Sequence, residues 1–210
     1  MMDAPTPKVF ISYRRDDTAY QTTAIHDKLA AQLGDEYVFM DVDTIPAGRD
    51  FRKVIANEVQ RCDVLVAVIG EKWLSASNEA GERRLDLPTD YVRLEIEAAL
   101  QRDISVIPVL VGKVALPSAD EVPSSLSDLV YRHGAVVRPG RDFQRDVETL
   151  IGDIIRTTGS TKTGVASEEA VTDEASAEQT LWKGSYSAKG MLGGALLLGL
   201  TWIALIGFVT

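Results

Sequence analysis

The sequence predicts an α/β fold, a five-stranded parallel sheet with helices on both faces. Two observations carry this reading. Short apolar runs alternate with segments of helical period from Val9 to Ile155. One of those runs, Val64 to Ile69, is apolar throughout, as a strand covered on both faces must be.

The elements follow in order. Val9 to Ile11 is short, apolar and β-branched, so it reads as a buried strand. Asp16 and Asp17 are placed to cap the helix after it. Ala19, Ile25, Leu29 and Leu33 give that helix an apolar face, and Gly34 stops it. Tyr37 to Met40 is the second strand, and Asp41 to Asp50 is a turn-rich loop with Pro46 and Gly48. Phe51 to Gln60 is helical, with Phe51, Val54, Ile55 and Val59 on one side. Val64 to Ile69 is the third strand, Asp90 to Arg102 a helix, Val106 to Val111 the fourth strand and Ala135 to Val137 the fifth. An amphipathic helix over Phe143 to Ile155 closes the domain.

In such sheets ligands bind outside the carboxyl ends of the strands. That makes Ser12–Asp17, Asp41–Asp50 and Gly70–Thr89 the candidate site loops. No GxGxxG or GxxxxGK[ST] occurs, so the usual phosphate cradles are absent.

Composition narrows the function classes. The chain has 210 residues, 45% hydrophobic and 25% charged, with net charge −9. That excludes a wholly disordered chain. Its pI near 4.8 argues against nucleic acid as a partner. Cys62 is the single cysteine, so no disulfide framework exists. His26 and His133 belong to no cluster at ligand spacing, and no metal site is expected.

The mean hydropathy of −0.01 averages over unlike parts. Residues 1–7 are a short tail, 8–156 the globular domain, 157–188 a linker rich in Thr, Ser, Ala and Glu, and 189–210 a membrane helix. Gly190 to Thr210 contains 21 residues and no charge. As a helix it would be about 31 Å long, the thickness of a bilayer's hydrocarbon core. No signal peptide is visible before Val9. Lys183 and Lys189 precede the apolar run and nothing basic follows it. The expectation is a single-pass, C-terminally anchored protein with its domain in the cytoplasm.

Three motifs then carry a resemblance: KVFISYRRDD at Lys8–Asp17, FMDVDTIPAGRDF at Phe39–Phe51 and DYVRLEIEAAL at Asp90–Leu100. With VIPVL at Val106–Leu110, they resemble a bacterial TIR (Toll/interleukin-1 receptor) domain across most of Lys8–Arg156. The resemblance implies a flavodoxin-like TIR fold. It also implies NAD+ as substrate with no cofactor, self-association with other TIR domains, and a role in prokaryotic defence or stress signalling.

The resemblance makes Glu95 the catalytic carboxylate; on composition alone it reads as a solvated helix residue, as its neighbour Glu97 does. It implies substrate contacts from Phe10, Ser12, Tyr13, Arg14, Asp43, Ile45, Trp73 and Tyr91. Tyr91 stands four residues before Glu95 on one helical face, where NAD-cleaving relatives commonly carry tryptophan. Arg14 and Arg15 either meet phosphate through their forks or are surface residues balanced by Asp16 and Asp17. Asp43 and Ile45 lie in the loop resembling the family's BB loop, and contact either ligand or partner. Trp73 either lines the pocket or packs. Two functions are open: a membrane-anchored NAD+ glycohydrolase, releasing nicotinamide with ADP-ribose or a cyclic isomer, and a non-catalytic adaptor acting by TIR–TIR contact. A receiver-type phosphoacceptor is rejected, because no aspartate ends the third strand.

Overall fold

The computed structural model describes residues 6–40 and 48–159. Strands β1 (Val9–Ser12), β2 (Val38–Met40), β3 (Val64–Ile69), β4 (Ser105–Val111) and β5 (Ala135–Val137) form one five-stranded sheet in the order β2-β1-β3-β4-β5. All the pairings are parallel. The strand order reverses at β1, so the carboxyl edge opens between β1 and β3.

Alternation along the strands builds two cores. Phe10, Leu65, Ala67, Ile69 and Val106 face one layer, packed by helices α2 (Phe51–Gln60) and α3 (Tyr91–Gln101). Val9, Ile11, Val66, Val68 and Val109 face the other, packed by α1 (Arg15–Leu33) and by the helix over residues 143–159, α4. Ile25 and Leu29 fill that layer from α1, and Val147, Leu150 and Ile154 from α4. Each fully buried aliphatic side chain contributes about 1.5–3 kcal/mol of transfer free energy. The helices are therefore held chiefly by these stripes.

Three local expectations change. Asp16 and Asp17 do not cap α1. Arg14 is the N-cap residue, and the aspartates occupy the first turn, where the helix dipole favours them. The Asp17 carboxylate instead accepts the Lys72 backbone N–H at 3.0 Å, across the mouth of the sheet. Gly70 makes that approach possible: a Cβ there would lie 2.4 Å from Thr18 Cγ2 and 2.5 Å from Asp17 Oδ2. Tyr37 belongs to a 3-10 turn, Asp35–Tyr37, and not to the second strand. Finally, α4 continues to residue 159, past the expected helix end at Ile155. Within that added turn the Thr158 hydroxyl donates to the Ile154 carbonyl at 3.0 Å.

Cys62 is buried, and burial together with Glu58 and Asp63 pushes its thiol up to about 12, so it is inert. Among the described residues no helix is long and apolar enough to cross a membrane. The span expected at Gly190–Thr210 and the linker beyond residue 159 lie outside them.

A charged clasp fixes α4 to the end of β5. Arg138 donates to Asp146 from its backbone N at 3.0 Å, from Nε at 2.8 Å and from a terminal nitrogen at 2.7 Å. These bonds hold the Asp146 carboxyl down at about 2, against an ordinary value of 3.8. A lowered carboxyl stabilises the fold above its unfolded value and loses that contribution as pH falls through the folded one. The unfolding midpoint of the wild type is therefore expected to fall between pH 4 and pH 2 more steeply than that of Asp146→Asn. Parallel acid profiles for the two proteins would contradict this.

Candidate active site

The buried stripe of α3 is Val92, Glu95, Ile96 and Ala99, at the spacing of one helical face. A carboxylate therefore occupies a position where the packing calls for an apolar side chain. Glu95 is 7% exposed, and α3 lies against β1, β3 and β4. Glu97 differs from both Glu95 and its own expectation. It pairs with Arg93 at 2.7 Å and accepts from the Ser125 hydroxyl, so it ties α3 to the 3-10 segment Ser124–Tyr131.

Asp90 starts the helix. As N-cap it accepts the Arg93 backbone N–H at 3.2 Å. Its two oxygens also receive the Arg14 fork, at 3.0 Å and 2.9 Å, while Arg14 Nε donates to the Trp73 carbonyl at 3.0 Å. Both side chains of this ion pair are 1% exposed. One guanidinium thus joins the loop after β1, the loop after β3 and the first turn of α3. Arg84 approaches the same carboxylate, its Nε 3.3 Å from Oδ1.

Beside this cluster lies a cavity of about 340 Å³, lined by Phe51, Arg84, Leu87, Thr89, Asp90 and Tyr91, among others. Phe51 at the start of α2 and Tyr91 at the start of α3 form an aromatic pair, centroids 5.3 Å apart and tilted by 51°. Tyr91 is 48% exposed. Glu95 follows it by one turn, about 6 Å along the helix axis.

The expected site residues separate into groups. Phe10, Ser12 and Trp73 are buried on the α3 side of the sheet, in the layer that holds Glu95. Ser12 ends β1, in register with Ala67, rather than opening the loop. Phe10 and Trp73 are packed in the core cluster of that layer. Even so, Ser12 Oγ and Trp73 Nε1 are buried without a hydrogen-bond partner, an uncommon state for polar atoms in a core. Tyr13 has the opposite strand parity and packs against the α1 and α4 core. Arg14 is neither a phosphate fork on an open face nor a surface residue, because its fork is engaged by Asp90. Asp43 and Ile45 lie outside the described residues.

Sequence reasoning missed Asp90 and Arg84. Asp90 had a local signal, an aspartate immediately before a helical period. Arg84 had none, since its place depends on the 3-10 turn Arg84–Asp86. Among the described residues no group of His, Cys, Asp or Glu is arranged to hold a metal ion.

Comparison with known proteins places the chain in a family. The family model for the TIR domain matches residues 9–151. The NAD(+) hydrolase sarm1 of Drosophila melanogaster is 26% identical over 131 residues, 62% of this chain. The match spans only 9% of that relative's length. Among solved structures, the TIR domains of the activated Roq1 resistosome recognising the effector XopQ align with a TM-score of 0.49 and 15% identity. The alignment covers 70% of this chain and 99% of that one.

Proposed function

This chain belongs to the TIR-domain family, and on that premise we propose that it is an NAD+ glycohydrolase with Glu95 as its catalytic carboxylate. The observation that carries the reading is the carboxylate of Glu95 in the core-facing stripe of α3, one turn from an aromatic-lined cavity. The name of the fly relative, an NAD(+) hydrolase, supports the same reaction.

The chemistry suits a single acid. The bond between ribose C1′ and the nicotinamide nitrogen breaks, and its electron pair leaves with the nitrogen. The pyridinium becomes a neutral ring and needs no proton. The ribosyl fragment is left as an oxocarbenium-like cation, which a fixed carboxylate in a poorly solvated layer stabilises. Water then adds at C1′ and loses a proton, giving ADP-ribose. Attack from within the same molecule gives a cyclic isomer instead. Activation by self-association and a role in prokaryotic defence or stress signalling belong to this proposal, on the family resemblance alone.

The proposal includes a membrane anchor at 190–210. The run contains no charge, and the net charge of −9 arises entirely before it. An acidic domain is repelled by anionic lipid, so the apolar run has to supply the attachment. Full-length chain is expected in the carbonate-resistant membrane fraction, and chain ending at Lys189 in the supernatant. Full-length protein in the supernatant would refute the anchor. Nicotinamide release from NAD+ by full-length protein on vesicles, at rising surface density, tests the enzyme. Absence of release at every density, with TIR–TIR pairing intact, would favour the adaptor.

A further inference from the structure

We infer that Arg84 is the phosphate-binding residue of the cavity beside α3, and that the cavity takes one nucleotide end of its ligand. The inference rests on the NAD+ reading of the site and names a residue that neither the motifs nor that reading assigns.

Charge is the first argument. One buried carboxylate, Asp90, is shared by two guanidiniums, Arg14 and Arg84, so it cannot fully engage both. Arg14 satisfies both Asp90 oxygens from the buried side, at 3.0 Å and 2.9 Å. Arg84 touches Asp90 through Nε at 3.3 Å, and its side chain keeps 33% of its surface exposed. Its other acidic neighbour is Asp16 at 3.7 Å, with a side chain 86% exposed. A pair so long and so hydrated holds little energy, and a phosphate can displace it.

Placement is the second argument. Arg84 is presented from a fixed base: its backbone N–H donates to the Ala76 carbonyl at 2.8 Å, and Leu85 beside it is fully buried. Its guanidinium shares the cavity wall with Phe51 and Tyr91. A planar donor fork beside two aromatic rings matches a phosphate joined through ribose to a planar base. At about 340 Å³ the cavity is at the small end of ligand sites and suits half of a dinucleotide.

The test compares two substrates of full-length protein. NAD+ and nicotinamide riboside share the scissile bond, and the riboside lacks phosphate. Arg84→Gln is expected to raise KM for NAD+ about tenfold, with kcat nearly unchanged and no effect on the riboside. Arg84→Lys, with charge but no fork, should recover part of the loss. An unchanged KM for NAD+, or an equal rise on both substrates, overturns the inference; the latter would mean that Arg84 only supports the fold. If the wild type cleaves neither substrate, the catalytic reading fails and calorimetric titration with ADP-ribose decides this one. Binding that weakens about tenfold in Arg84→Gln sustains it. Equal binding by the two proteins, or no binding by the wild type, overturns it.

Discussion

Glu95→Gln is expected to slow nicotinamide release by about 10²–10³-fold, the loss seen when one preorganised electrostatic group is removed from a transition state. The substitution keeps the side chain's shape, removes its charge and turns one acceptor oxygen into an NH2 donor. The charge matters where the ribosyl cation forms, so kcat falls while KM changes little. Stability should move the other way or not at all, because a neutral amide avoids the desolvation cost of a buried carboxylate. Glu97→Gln is the matched control two residues on. It loses the charge that pairs with Arg93 and strengthens the bond from Ser125, and should slightly lower the unfolding midpoint while sparing kcat. Full activity in Glu95→Gln, or equal activity losses in the two variants, would remove Glu95 from the chemistry.

The fold was legible because its signals are local. Val64–Ile69 was bounded correctly because an all-apolar run between polar residues has a single reading in a covered parallel sheet. Strand parity was also in the sequence, and it explains a misplaced residue. Phe10 and Ser12 share a face, so Tyr13 must point to the other layer, away from Glu95. Glu95 was read as a solvated helix residue apart from the family resemblance, whereas the folded α3 buries it with Val92, Ile96 and Ala99. Long-range polar pairing left no such mark. Arg14 and Asp90 are 76 residues apart, and only the finished sheet brings the end of β1 next to the start of α3. An arginine beside two aspartates in sequence therefore read as a locally balanced surface group, when its partner was a distant helix cap.

That buried pair leads to the largest expected effect on stability. Arg14→Ala leaves Asp90 without its fork in a layer from which water is excluded. Breaking a buried ion pair from one side costs about 3–5 kcal/mol. In a domain of this size each kcal/mol moves the midpoint by about 2–4 °C, so a fall of roughly 6–20 °C is expected. Arg14→Lys should recover little, because a point charge cannot span both oxygens and also reach the Trp73 carbonyl. Asp90→Asn keeps a side chain able to cap α3 but strands Arg14, so it should also destabilise. The double variant Arg14→Ala with Asp90→Asn separates the pair's net value from the cost of an orphaned charge. It should be more stable than the sum of the two single losses by about 0.5–3 kcal/mol. Activity supplies a second readout. Arg14 touches no substrate in the proposed mechanism, yet it fixes the turn from which Tyr91 and Glu95 project. A loss of kcat in Arg14→Lys at temperatures where the variant is fully folded marks Arg14 as a positioning residue. Strict additivity of the two substitutions would mean that the pair is not coupled, and that α3 is held by its apolar stripe alone.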